Sequence, residues 1–160
     1  MVAQLRTSTR AINPAFLQEI KDSNPELWAT IHKVRDTVTA PPRHWAEQSN
    51  LCFFVHLLNE LRDHLALQFS LEESYGYLEC QVSQGAEMGD RIREALAQHR
   101  LIYLTATDLC DLAEDMQYRG MLTRQAPDLF AEVRKFDVCF RQHEQLESEI
   151  IELAYFDQRR

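Results

Sequence analysis

FAEVRKFDVCFRQHEQLESEIIELAYF, Phe130 to Phe156, reads as one long amphipathic helix. Leu129, Val133, Phe136, Phe140, Glu147 and Ile151 recur at intervals that keep them on one helical face. His143 lies one turn before Glu147, on or beside that face. A buried ionised carboxylate costs several kcal/mol unless it is paired or binds a metal. His143-x-x-x-Glu147 therefore has two readings. In one, Glu147 bonds to His143 or to a neighbouring helix, or sits at the edge of the stripe near water. In the other, the two residues are metal ligands projecting into a helical bundle.

The rest of the chain shows the same helical period. Asn13-Pro14 and Asn24-Pro25 are helix-start signals, Asn as cap and Pro at the first helical position. The first opens a short helix with Phe16, Leu17 and Ile20 on one side. The second opens a helix to about Thr39, with Leu27, Ile31, Val34 and Val38 inward, ended by Pro41-Pro42. The next helix starts near Trp45 or Ser49. Its stripe runs Phe54, Leu57, Leu58, Leu61, Leu65, Gln68, Glu72, and it stops or kinks at Gly76. Ser83 to Glu87 is a connection. A third long helix, about Met88 to Tyr118, carries Ile92, Leu96, His99, Ile102, Tyr103, Ala106, Leu109 and Ala113 on its stripe. Gly120 suits its end, and Ala126-Pro127-Asp128 opens the last helix. No segment alternates with period two, so no strand is expected. Residues 1–12 are expected to form a loose arm. Residues 13–160 are expected to form one all-α domain, an up-down-up-down four-helix bundle with a short extra N-terminal helix.

Composition narrows the function classes. The 160 residues are 45% hydrophobic and 26% charged, enough for one domain with a substantial core. The formal net charge of −8 disfavours nucleic acid and anionic membrane surfaces as partners. No apolar run reaches the length of a membrane span, and MVAQLRTSTR has no apolar leader segment. Cys52, Cys80, Cys110 and Cys139 are far apart and follow no zinc spacing, so they are expected to be reduced thiols in a cytoplasmic protein.

A faint internal repeat joins the two halves. Gln68-x-x-x-Glu72 and His143-x-x-x-Glu147 each follow an apolar stripe. Approximate two-fold symmetry would bring these four side chains together inside the bundle. On these residues the chain, from about 24 to 157, resembles the hemerythrin-like family, the HHE cation-binding domains. That family pattern is a helix with a His, then a helix with His-x-x-x-Glu, and then both again. His99 in QHRLIYL and His143 and Glu147 in RQHEQLE match the second half. QFSLEESYGY resembles the family's His-Phe-x-x-Glu-Glu segment, with Gln68 in place of His and Glu72 as the carboxylate. No His fits the first helix, since apolar spacing puts Asn24 or Ile31 opposite His99.

The resemblance implies a non-haem iron centre, mononuclear or dinuclear, with carboxylates and histidines as ligands. It also implies dioxygen or another small ligand, bound or sensed. The expected metal ligands are Glu72, His99, His143 and Glu147. Gln68 is expected beside them through a weak amide oxygen. His64 is an alternative to Gln68, one turn earlier but rotated by ~40°. Tyr103 is expected as a core aromatic or a hydrogen-bond donor to the centre. His32, His44 and His56 are expected at the surface. With half the pattern incomplete, the site is expected to hold one metal, a loosely held pair, or none. The rival reading is a metal-free helical interaction module of the same fold. Enzymatic turnover ranks last, because no nucleophile–base arrangement supports it.

Overall fold

The computed structural model describes residues 9–80 and 85–160. The described residues are helical apart from a small two-stranded ribbon and short connections. In order come β1 (Thr9–Ile12), α1 (Pro14–Asp22), α2 (Pro25–Thr39), α3 (Pro42–Trp45) and α4 (Gln48–Leu71). A π-helical turn (Glu72–Gly76), β2 (Tyr77–Cys80), α5 (Ala86–Tyr118) and α6 (Leu122–Gln158) follow. No helix among the described residues is long and apolar enough to cross a membrane.

Both Asn-Pro signals act as expected. Asn13 Oδ1 accepts from Phe16 N at 3.2 Å, and Asn24 Oδ1 accepts from Leu27 N at 3.3 Å, each satisfying an otherwise orphaned first-turn donor. Pro41-Pro42 ends α2 but also opens the single turn of α3, whose Trp45 meets the Phe130 ring edge-on at 5.0 Å. At the end of α5, Gly120 takes φ 69°. Its N–H donates to the Gln117 carbonyl and that of Met121 to Met116, a Schellman closure that needs a left-handed residue at this point.

Two boundaries differ from the sequence reading. The last helix begins at Leu122, so Pro127 lies inside it. Proline removes one helical hydrogen bond there. Leu122 and Ala126 are nonetheless buried beside Leu129, and burying that additional turn offsets the loss. The second difference is the ribbon. β1 pairs antiparallel with β2, Ile12 opposite Tyr77, so the expected arm is ordered at least from Thr9, while residues 1–8 lie outside the described residues. Four-residue strands are too short to show a period-two pattern, and this pair forms only because two distant segments meet. Ser83 and Gln84 of the expected connection also lie outside the described residues.

Helices α2, α4, α5 and α6 share the larger core, which includes Leu27, Ile31, Leu61, Leu65, Phe136 and Phe140. A smaller cluster, with Leu17, Tyr77, Ile92, Ala95 and Ile150, joins α1, the ribbon, α5 and α6. Between the two lies a polar layer. From α4 through the π-helical turn into β2, Phe69 belongs to the larger cluster, Glu72 is polar, and Tyr77 belongs to the smaller. Along α5 the order is Ala95, His99, Ile102; along α6 it is Phe140, His143 and Glu147, Ile150. Each chain segment therefore crosses the same layer at its own polar residue.

Gly76 fixes how α1 closes that layer. The Asn13 N–H donates to its carbonyl at 2.7 Å. A Cβ at residue 76 would overlap Leu17 Cδ2 and lie 2.7 Å from Leu17 Cγ, and Leu17 is wholly buried. Gly76→Ala should therefore cost about 1–3 kcal/mol in denaturant unfolding, the usual cost of overpacking a filled core. An unchanged midpoint would contradict this packing.

Candidate metal centre

Glu72, His99, His143 and Glu147 come from the π-helical turn, from α5 and twice from α6, and all four are buried. Each offers one ligand atom, and those four atoms lie within 4.8 Å of one another. His99 Nε2 is 3.1 Å from Glu72 Oε2 and 3.5 Å from Glu147 Oε1; His143 Nε2 is 3.6 Å from Glu147 Oε1. The two imidazoles meet edge to face at 4.7 Å. Phe69 stacks on His99 at 4.1 Å and touches His143 edge-on, covering the site on the side of the larger core.

A second layer aims these atoms. His99 Nδ1 lies 3.0 Å from Glu73 Oε1, and His143 Nδ1 lies 2.9 Å from Gln98 Oε1. Both partners are acceptors, so each Nδ1 carries a proton and each Nε2 faces the cluster, with a free lone pair on the neutral His143. That is the arrangement that fixes tautomer and ring direction in metal-bound histidines. Gln68 Nε2 donates to Glu72 Oε1 at 2.8 Å, and Asn24 Nδ2 donates to Gln68 Oε1 at 2.9 Å. Tyr77 donates its phenol proton to Glu147 Oε1 at 2.8 Å. Lys21 Nζ stands 3.5 Å from Glu147 Oε2 and 2.9 Å from Glu144 Oε2.

The π-helical turn has a function here. It carries two adjacent carboxylates that meet one ring, Glu72 at His99 Nε2 and Glu73 at Nδ1. In a regular α-helix neighbouring side chains diverge by ~100°, and π-turns recur where a helix is distorted to place functional groups.

Electrostatics separate the four groups. Burial, together with the neighbouring Glu147 charge, raises Glu72 to about 8. Burial would also raise Glu147, but His99, His143 and Lys21 hold it below the usual carboxylate range. Burial would lower His99, yet the Glu147 and Glu72 carboxylates beside its Nε2 lift it to about 10. Burial lowers His143 to about 4, so its ring is neutral at pH 7. Burial and Glu147 push the Tyr77 phenol upward, keeping it a donor.

The donor set fits a metal ion. Among the described residues, Glu72 Oε2, His99 Nε2 and His143 Nε2 have no aligned hydrogen-bond partner, although all are buried and point at one another. Buried polar atoms are rarely left so. First-row ions take nitrogen and oxygen at ~2.0–2.2 Å, which sets opposite ligands ~4 Å apart; the cluster is of that size. Two imidazoles with carboxylates suit iron, zinc or manganese.

The structure brings together Glu72, His99, His143 and Glu147, and changes three other assignments. Gln68 is at the site, but its amide oxygen is taken by Asn24, so it holds Glu72 through its N–H instead of offering oxygen to a metal. His64 is half-buried and outside the cluster, as its rotation from Gln68 allows. Tyr103 is 39% exposed and faces away from the core; the phenol at the site is Tyr77, brought in by the ribbon. His32, His44 and His56 are exposed. Cys52, Cys110 and Cys139 are free thiols, and the Cys80 side chain lies outside the described residues. Sequence reasoning missed Lys21, Glu73, Tyr77, Gln98 and Glu144. Two of these carried a signal: Glu73 closes the Glu-Glu pair of QFSLEESYGY, and Glu144 lies one position after His143 beside the apolar stripe.

Gln68→Leu removes the donor to Glu72 without removing a ligand. It should weaken metal binding by about 10–100-fold, the usual cost of losing an outer-layer partner, as measured by competition with a chromophoric chelator. Unchanged affinity would show that Glu72 needs no such support. No protein-family profile, curated protein or solved structure matches this chain.

Proposed function

We propose that this protein is a non-haem iron-binding, hemerythrin-like four-helix bundle of up-down-up-down topology, serving oxygen or redox sensing or binding in the cytoplasm. Glu72, His99, His143 and Glu147 are its ligands. The observation that carries the reading is the convergence of four buried donor atoms within 4.8 Å, three of them without an aligned partner. Iron bound there supplies a ferrous–ferric couple and coordination positions for a small ligand such as dioxygen.

The chain's own residues do the rest. Glu73 and Gln98 hold the imidazole tautomers, Gln68 and Tyr77 hold the carboxylates, and Phe69 keeps bulk water from the rings. Retention of iron by purified protein after anaerobic ferrous loading and desalting, and its loss in His143→Ala, tests the reading. Protein that retains no metal under these conditions refutes it.

One observation favours a metal-free interaction module as the second reading. Lys21 and a protonated His99 already face the carboxylates of Glu72, Glu144 and Glu147, so the layer has internal countercharge. The two readings differ in proton balance. In the metal-free protein at pH 7, His99 (about 10) and Glu72 (about 8) each hold a proton. Metal binding requires both to leave, so loading at pH 7 should release about two protons and weaken as pH falls. Calorimetry in buffers of different ionisation enthalpy reads this directly. Loading without proton release would place the ion elsewhere.

A further inference from the structure

Lys21, at the end of α1, is an unusual neighbour for a cation site. Its side chain is 11% exposed, and its Nζ lies 2.9 Å from Glu144 Oε2 and 3.5 Å from Glu147 Oε2. Trp28 Nε1 donates to the Lys21 carbonyl at 3.1 Å, which fixes its backbone. Glu147 thus divides its two oxygens. Oε1 faces His99, His143 and the Tyr77 phenol, and Oε2 faces the ammonium. Glu147 is 1% exposed. Neither its Oε2 nor Glu144 Oε1 has an aligned hydrogen-bond partner among the described residues. Glu72 divides its oxygens too, Oε2 toward His99 and Oε1 toward the Gln68 amide N–H.

We propose that the Lys21 ammonium fills a second cation position, formed by Glu144 and the outer oxygen of Glu147, and so limits the centre to one metal ion. The proposal rests on the reading of Glu72, His99, His143 and Glu147 as metal ligands. An ammonium and a divalent ion compete for the same carboxylate lone pairs, and like charges repel strongly at this range in a poorly solvated interior. Glu147 therefore bridges a metal on one oxygen and an ammonium on the other. Gln68 closes the remaining route, because an amide N–H on Glu72 Oε1 repels a cation. Without the ammonium, Glu144 and the outer oxygen of Glu147 would face each other with no cation between them, a position that a second divalent ion would neutralise.

Cobalt(II) titration of the full chain, with metal content measured after desalting, tests this. Wild type and the charge-retaining Lys21→Arg should each hold one ion per chain. Lys21→Gln should hold two, its second equivalent binding at least about tenfold more tightly than any second equivalent on the wild type. Lys21→Gln/Glu144→Gln should return to one. If Lys21→Gln folds only with metal, circular dichroism recovered on cobalt addition at two ions per chain gives the same answer. Failure to recover with cobalt overturns the proposal. Two ions on the wild type, or one on Lys21→Gln, also overturns it while leaving the metal centre standing. No ion on any of these proteins overturns both.

Discussion

Glu147→Leu should destabilise the metal-free protein by about 3–5 kcal/mol, the cost of removing one member of a buried charge cluster. Glu147 is wholly buried, accepts from Tyr77, and faces His99 and Lys21. Its carboxylate is the one these cations hold ionised, with a pKa below the usual range. Leucine would leave the Lys21 ammonium with Glu144 alone and the Tyr77 hydroxyl without its acceptor. A domain of this size has a total stability of roughly 5–15 kcal/mol, so Glu147→Leu should lower the unfolding midpoint severely. Glu72→Leu should cost less, because Glu72 is protonated at pH 7 in the metal-free state, and replacing a neutral buried acid by an apolar side chain removes no charge partner. Equal losses for the two variants in urea denaturation would contradict this division of charge.

His143→Leu should have the opposite profile. His143 is neutral near pH 7, because burial lowers its pKa to about 4, and it lies against Phe69. Leucine fills a similar apolar volume, and only the Gln98 hydrogen bond is lost. The metal-free stability should therefore change by no more than about 1–2 kcal/mol. Metal affinity should fall by about 100-fold or more, ~2.7 kcal/mol, because an inward-facing imidazole is removed from the donor set. A stability loss as large as that of Glu147→Leu, with metal affinity intact, would make His143 a structural residue.

Much of this arrangement is legible in the helical period alone. Glu72, His99, His143 and Glu147 each interrupt an apolar stripe, and only helix packing is needed to bring such interruptions into one layer. The helix starts at Pro14 and Pro25 follow from Asn-Pro pairs whose chemistry is local. What the sequence hides is long-range. Tyr77 reaches Glu147 only because β2 pairs with β1, where Ile12 stands opposite Tyr77 although the two are far apart in the chain. Lys21 reads as an ordinary helix-end cation, and nothing local says that α1 lays it over two carboxylates. Tyr103 shows the converse: it is one turn from His99, but the small drift of the stripe along α5 carries it to the surface. Asn24 has two jobs, and its cap signal conceals the second, its hydrogen bond to Gln68.

In the proposed centre, four atoms hold the metal. The most direct test is anomalous diffraction from crystals loaded anaerobically with ferrous iron. A peak is expected ~2.0–2.2 Å from Glu72 Oε2, His99 Nε2, His143 Nε2 and Glu147 Oε1. A competing place for cations is the acidic cleft between α5 and α6, about 580 Å³, lined by Glu87, Asp90, Glu94 and Glu149. A peak there, with none between the two histidines, would rule out the proposed centre.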